Sequence, residues 1–142
     1  MRFERLPVLK LQIPNNIFEQ MLVQARAEAP VEACGILAGA DGKAQKLYKM
    51  TNAEASTEHF MMKPEEQFRV VKEIRKAGLE MLAIYHSHPA SGARPSAEDM
   101  RMALTPGVVY LIISLLNNQP MVKGFIIEDG NVSEVPVEIL EK

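Results

Sequence analysis

The sequence predicts an α/β domain in which a mixed β-sheet is flanked by helices in three layers. Apolar runs of strand length recur along the chain, and residues 108–116 form one of the longest. Two other segments repeat apolar residues every three or four positions, as amphipathic helices do. The pairs Asp41-Gly42 and Asp129-Gly130 favour tight hairpin turns. Strands joined by hairpins at some points and by helices at others indicate a mixed sheet with helices packed on it.

The first third of the chain is predicted to form a strand, a helix and a hairpin. Apolar and polar residues alternate over 8–13, which is typical of a half-buried strand. Pro14 suits the first turn of the helix that follows, and Pro30 ends that helix. A strand of small residues over 34–40 then pairs, through the Asp-Gly turn, with a strand over 43–50.

The second helix has clear signals at both ends. Pro64 stands at its start and Gly78 just past its end, with two glutamates in its first turn and two basic residues in its last. Its predicted buried face consists of Phe68, Val71, Ile74 and Val70. The remaining predicted elements are strands over 79–88, 108–116, 121–128 and 132–139, and a short helix from Ser96 to about Leu104.

Composition favours a single soluble domain over residues 1–142. The net charge of −2 provides no electrostatic footprint for nucleic acid or an anionic membrane, and no apolar run is long enough to span a bilayer. The single cysteine excludes an internal disulfide framework and favours a reducing compartment. The N-terminus lacks the apolar stretch of a signal peptide. We therefore expect a cytoplasmic protein, in an oligomeric state that the sequence leaves open.

Metal-binding residue types cluster at the end of the strand predicted over 79–88 and shortly after it. Side chains on a strand alternate between its faces, so His86 and His88 project from the same face. The turn-rich segment 90–95 is long enough to reverse the chain and return Asp99 over the two histidines. Two imidazoles and one carboxylate are the protein ligands of a catalytic zinc site, which keeps its fourth position open for water. These residues therefore indicate a catalytic zinc site, although a His-x-His pair at a strand end that binds no metal is the alternative interpretation.

The segment from Ser96 to Asp99 is also typical of a helix N-terminus. Ser96 would cap the helix and Asp99 would complete a relaxed capping box. The two roles are compatible, because the first helical turn that Ser96 closes would also orient the Asp99 carboxylate. Glu98 is a rival third ligand, although helical geometry turns it about 100° away from Asp99.

A zinc hydrolase also needs a group that accepts a proton from water and passes it to the leaving group. Glu32 is a candidate because it opens the strand of small residues. On chemistry alone it ranks only marginally above Glu98, Glu54 and Glu58, and a solvated acid at a helix-to-strand junction is the alternative interpretation. Cys34 is interpreted as a small buried residue rather than a nucleophile, since it lies within an apolar strand.

Together these segments resemble the JAMM motif, which defines the metalloprotease branch of the MPN (Mov34) family. The resemblance spans most of the chain and rests on Glu32-x-Cys34-Gly35-x-Leu37-x-Gly39, then His86-Ser87-His88-Pro89, then Ser96-x-x-Asp99. It implies a cytidine-deaminase-like fold with one zinc ion bound by His86, His88 and Asp99. It further implies that Glu32 acts as general base and then as general acid. Ser96 would hydrogen-bond the carbonyl oxygen as negative charge develops there.

Family members with this motif cleave amide or isopeptide bonds after the C-terminal glycine of ubiquitin or ubiquitin-like proteins. The compact chain resembles the small prokaryotic members, which implies a sulfur-carrier protein ending in Gly-Gly as its partner. An extended tail is expected to pair with a sheet edge near the zinc, and Asn52 and Arg94 are candidate substrate contacts. Two alternatives stay open: a non-catalytic MPN interaction scaffold, and a zinc hydrolase of small peptides or other amides.

Overall fold

The computed structural model describes residues 10–141, and these form eight strands and three helices. In chain order the elements are β1 (Leu11–Pro14), α1 (Asn15–Glu28), β2 (Cys34–Ala40), β3 (Lys43–Met50), α2 (Pro64–Lys76), β4 (Glu80–His88), α3 (Ala97–Arg101), β5 (Val109–Ser114), β6 (Met121–Glu128), β7 (Asn131–Val135) and β8 (Val137–Leu140). The strands lie in one sheet of order β7-β6-β5-β4-β2-β3-β1-β8, which contains both parallel and antiparallel pairs. The predicted mixed α/β architecture is confirmed.

Helices cover both faces of this sheet. α1 packs on one face, where Met21 belongs to the same buried cluster as Tyr85 of β4. α2 covers the other face, where Val70 shares a buried cluster with Ile84. Neighbouring residues of β4 therefore point alternately into the two cores, as the strand period of two requires.

The predicted buried face of α2 was partly wrong. Val70 and Ile74 are buried, but Phe68 and Val71 are 69% and 36% exposed. The helix therefore contacts the sheet through a narrower apolar stripe than its sequence pattern indicates. The Lys72 ammonium lies 5.4 Å from the centroid of the Phe68 ring, an arrangement typical of a cation–π contact.

The single strand predicted over 132–139 is in fact two strands. Pro136, which separates β7 from β8, has no N–H to donate to a strand ladder. β7 pairs with β6 at one end of the sheet, whereas β8 pairs with β1 at the other end. Because only Pro136 joins them, the sheet curves until its two ends meet at that residue.

Other elements begin or end a few residues away from their predicted boundaries. α3 ends at Arg101 rather than near Leu104, and Pro14 ends β1 instead of opening the helix. Residues 8 and 9 of the first predicted strand lie outside the described residues. Among the helices of residues 10–141, none is both long enough and apolar enough to traverse a bilayer.

Gly35 of β2 allows a buried tyrosine to pass over the strand. A Cβ placed on Gly35 would lie 2.1 Å from Oη of Tyr85. The ring cannot easily retreat, because Tyr85 Oη donates to Oε1 of Gln24 (2.6 Å) and Gln24 Nε2 donates to the carbonyl of Cys34 (2.9 Å). Any side chain at Gly35 must therefore displace this network.

We expect Gly35→Ala to lower the free energy of unfolding by about 3 kcal/mol, the upper end of the usual cost of overpacking a core. Urea denaturation would measure the change. Gly92→Ala is the matched control, since a Cβ on Gly92 meets nothing within 4 Å; we expect it to change the free energy by about 0.5 kcal/mol or less. Equal losses in the two variants would contradict this account.

Candidate metal centre

The two histidines lie at the end of β4, an interior strand between β2 and β5. Both imidazoles are buried, with 1% of His86 and 4% of His88 exposed, and both lie on the sheet face that α2 covers. Ser87 points to the opposite face. Its Oγ accepts a hydrogen bond from the N–H of Ala33 (2.8 Å), and its own N–H donates to the carbonyl of Ala33 (2.9 Å). These two bonds align the end of β4 with the residue that follows Glu32.

Asp99 approaches the histidines from the first turn of α3. The N–H of Asp99 donates to Oγ of Ser96 (3.0 Å), and the N–H of Ser96 donates to Oδ2 of Asp99 (2.9 Å). The predicted capping box is therefore confirmed, and it orients the carboxylate toward the end of β4. Glu98, the rival ligand, instead pairs with Arg101 on the outer side of α3.

Three potential ligand atoms converge at this point. Nε2 of His86 lies 3.1 Å from Nε2 of His88, and Oδ2 of Asp99 lies 3.2 Å and 3.0 Å from these two nitrogens. A tetrahedral zinc ion with bonds of about 2.0 Å would separate its ligand atoms by about 3.3 Å, which is close to these distances.

The position of the proton on His88 also suits metal binding. Its Nδ1 lies 2.8 Å from the carbonyl oxygen of Gly92, which can only accept. Nδ1 therefore carries the proton, and Nε2 of a neutral His88 presents a lone pair to His86 and Asp99. Two imidazole nitrogens and one carboxylate oxygen directed at one point are a donor set that zinc accepts.

Glu32 completes the cluster from the loop before β2. One ligand atom from each of Glu32, His86, His88 and Asp99 lies within 4.8 Å of the others. The Glu32 side chain is buried, and its Oε1 has no hydrogen-bond partner among residues 10–141. Its backbone is held on both sides, because its N–H donates to the carbonyl of Ser56 (2.9 Å) and its carbonyl accepts from Nδ2 of Asn52 (3.0 Å).

Burial shapes the ionisation of these four residues. Burial raises the pKa of Glu32 to about 7, although the neighbouring His88 opposes this. Burial alone would raise the pKa of Asp99, but hydrogen bonds from His86 and His88 hold it well below its usual range. Burial lowers the pKa of His86. The pKa of His88 is raised, because Asp99 and the Gly92 carbonyl outweigh burial, so a bound metal would compete with a proton at this ligand.

A cleft of about 360 Å³ opens beside the cluster. Glu32, His88 and Ser96 line it, together with Thr57 and Glu58 from the loop before α2. The Ser96 hydroxyl accepts the N–H of Asp99 and so keeps its own proton free to donate. The cleft thus brings a general-base candidate, one potential metal ligand and a hydroxyl donor to one exposed opening.

The two weaker sequence candidates lie elsewhere. Asn52 is 6% exposed, and its amide bonds to the chain itself, including the carbonyl of Glu32 and the N–H of Met61. The direct substrate contact expected of Asn52 does not fit this placement. Arg94 lines a separate cavity with Lys123 rather than the cleft, so its contact with substrate stays a prediction.

Sequence reasoning missed two residues that contact the histidines. The carbonyl of Gly92 accepts from His88, and the ring of Phe60 stacks on His86 with 4.7 Å between ring centroids. Any residue can offer a backbone carbonyl, so the hydrogen bond from His88 to Gly92 cannot be recognised from the amino-acid sequence. Phe60 follows a polar, irregular segment, and nothing in the local pattern indicates that it lies against a residue 26 positions later.

Cys34 lies in the core and not at the cleft. It is fully buried in β2, and burial raises the pKa of its thiol to about 12. We therefore expect the native protein to react with iodoacetamide at least about 100-fold more slowly than the urea-unfolded protein, because the thiolate is the reactive form. Mass spectrometry of timed samples would measure both rates. Comparable rates in the two states would contradict the buried placement.

Comparisons with known proteins identify the family of the chain. Residues 14–125 match the family model Prok-JAB, prokaryotic homologs of the JAB domain. The chain is 34% identical to the CysO-cysteine peptidase of Mycobacterium tuberculosis over 138 residues, which cover 95% of this chain and 94% of that protein. It is 30% identical to the desampylase of Pyrococcus furiosus over 130 residues, which cover 91% and 90%.

A solved structure agrees as well. The solution structure of a protein from Desulfitobacterium hafniense has 42% sequence identity and a TM-score of 0.84, and the match covers 93% of this chain and 94% of that one. The family model and these relatives all cover most of the chain. The protein therefore belongs to the prokaryotic JAB-domain family, the small prokaryotic branch of the JAMM/MPN family that its motifs predict.

Proposed function

We propose that this protein is a zinc-dependent peptidase or isopeptidase that hydrolyses the amide bond after the C-terminal Gly-Gly of a ubiquitin-like sulfur-carrier protein. The observation that carries the proposal is the convergence of His86, His88 and Asp99 beside the buried Glu32, at the wall of an open cleft. The names of the relatives, a CysO-cysteine peptidase and a desampylase, support an activity of this class.

His86, His88 and Asp99 would hold one zinc ion, which when bound polarises a carbonyl group and lowers the pKa of water. Glu32 accepts the proton of the attacking water and then donates it to the leaving nitrogen. Its buried carboxyl suits both steps, because it has an oxygen within 4.8 Å of the ligand atoms and its Oε1 has no hydrogen-bond partner among residues 10–141. The Ser96 hydroxyl donates to the carbonyl oxygen as negative charge develops there.

The substrate tail would enter through the cleft rather than along β4. The sequence-based expectation of pairing with a sheet edge fails for β4, because β2 and β5 occupy its two sides. The cleft instead runs between the loop that contains Thr57 and Glu58 and the loop that contains Pro89 and Ser91. A Gly-Gly tail has no side chains to collide with these walls, which supports a carrier ending in two glycines.

The proposed function is tested with zinc-loaded protein and a ubiquitin-like carrier extended beyond Gly-Gly by a short peptide. Mass spectrometry would report the cleaved bond. We expect cleavage after the second glycine, and we expect the same carrier with Ala-Ala in place of Gly-Gly to be cleaved much more slowly. Equal rates of cleavage of the two carriers would favour the small-peptide hydrolase, and so would cleavage of the extension peptide when it is not attached to a carrier. Zinc binding without any cleavage would contradict the proposed substrate.

The scaffold alternative makes the opposite prediction about metal. A non-catalytic MPN scaffold has no need for three converging ligand atoms or for a buried acid beside them. Protein that takes up no zinc after reconstitution would favour the scaffold.

We further propose a cytoplasmic location and a single domain over 1–142, with no nucleic-acid or membrane partner, since one cysteine and a net charge of −2 suit that setting.

A further inference from the structure

The two histidines of the candidate metal centre are oriented in different ways. A histidine that ligates a metal usually donates its second ring N–H to a carbonyl or carboxylate, and this bond sets the orientation of the ring. His88 follows this rule, because its Nδ1 lies 2.8 Å from the carbonyl of Gly92. Nδ1 of His86 is buried and has no hydrogen-bond partner in the described part of the chain. No hydrogen bond at Nδ1 from residues 10–141 therefore helps to orient the His86 imidazole.

The ring of Phe60 lies directly against that imidazole. The two ring centroids are 4.7 Å apart and the ring planes differ by 25°, which is a stacked arrangement. Phe60 is partly buried and packs against the core cluster on the α2 side of the sheet. A stacked neighbour of this kind restricts rotation of the imidazole about its Cβ–Cγ bond, because rotation would break the ring contact.

Phe60 is itself held from both sides by the buried side chain of Asn52. Nδ2 of Asn52 donates to the carbonyl of His59 (3.0 Å), and Oδ1 accepts from the N–H of Met61 (3.2 Å). The N–H of Ala53 also donates to the carbonyl of Met61 (2.7 Å). The residues that flank Phe60 are therefore fixed by hydrogen bonds, and the position of its ring follows from them.

We infer that Phe60 is a positioning residue for metal binding: its stacked ring orients His86, as the Gly92 carbonyl orients His88. An aliphatic side chain at this position would fill most of the volume but would not stack on the imidazole. His86 would then lose part of its alignment with His88 and Asp99. The inference rests on the metal centre and holds whichever bond the protein cleaves.

The test compares zinc affinity in Phe60→Leu, Phe60→Tyr and the wild type by competition with a chromophoric chelator. We expect Phe60→Leu to weaken zinc binding about 10-fold, the lower end of the effect of removing a group that orients a metal ligand. Phe60→Tyr keeps the aromatic face and should retain most of the affinity. Thermal unfolding in excess EDTA would report the stability of the metal-free variants.

Met62→Leu provides the matched control, because Met62 is buried in the same segment but does not stack on a ligand. Loss of affinity in Phe60→Leu with wild-type affinity in Met62→Leu would support the inference. Wild-type affinity in Phe60→Leu, or equal losses in the two variants, would overturn it. If Phe60→Leu does not fold, Phe60→Met replaces it under the same criteria. A wild type that binds no zinc would overturn the metal centre and this inference together.

Discussion

Replacing Glu32 by glutamine is expected to lower kcat for carrier cleavage by about 10²–10⁴-fold, the usual contribution of a general acid–base group. Glutamine has nearly the same shape and keeps the backbone bonds to Ser56 and Asn52, but it cannot accept a proton from water. The three ligand atoms from His86, His88 and Asp99 are unchanged. We therefore expect zinc content to stay near one ion per chain, measured by atomic emission on the same samples used for the kinetics.

Glu58→Gln is the matched control for this experiment. Glu58 is exposed and lines the same cleft, but it lies outside the group of four potential ligands. Removing its charge is expected to change kcat/KM by about five-fold or less, which corresponds to about 1 kcal/mol for unit charges 4 Å apart in water. Wild-type turnover in Glu32→Gln, or a comparable loss in Glu58→Gln, would show that Glu32 is not the base.

Replacing Asp99 by asparagine is expected to weaken zinc binding by more than about 100-fold. Losing a residue that only orients a metal ligand weakens binding by up to about 100-fold, and loss of a ligand itself should have a larger effect. Asparagine keeps an oxygen that can accept from the N–H of Ser96, so the start of α3 is preserved. Only the negative charge that faces His86 and His88 is removed. Activity should fall with the loss of metal, and chelator competition would measure the affinity.

Glu98→Gln tests the rival ligand at the neighbouring position. Because Glu98 pairs with Arg101 and not with the histidines, we expect the zinc affinity of Glu98→Gln to equal that of the wild type. Stability gives a second measurement. Zinc at 1,000 times its Kd should raise the free energy of unfolding of the wild type by about 4 kcal/mol, and this gain should be mostly absent in Asp99→Asn. Zinc loss in Glu98→Gln with retention in Asp99→Asn would reverse the ligand assignment.

Much of the site could be predicted from sequence because its parts are local. His86 and His88 share a face by strand periodicity, and Asp99 is oriented by a capping box within one helical turn. Glu32 was different. From chemistry it could not be separated from Glu54, Glu58 and Glu98, and only the resemblance to the JAMM motif singled it out.

Long-range pairing explains why Glu32 could not be identified from local chemistry. Its approach to the histidines depends on the antiparallel register in which Cys34 of β2 lies opposite His86 of β4, together with the bonds between Ala33 and Ser87. Pairing between strands some 50 residues apart has no local sequence signal. The exposure of Phe68 has the same cause, since it depends on which distant surface the helix meets, whereas the split at Pro136 had a local signal in a proline that cannot donate to a strand ladder.

The sequence by itself therefore determined the class of fold, the family and the residue types of the candidate metal centre, because periodicity, capping and motif spacing act over a few residues. The tertiary structure alone decided how the parts meet. It placed Glu32 within reach of the ligands, buried the Asn52 amide against the carbonyl of Glu32, and stacked Phe60 on His86. These placements follow from strand register and close packing, which depend on the whole chain at once.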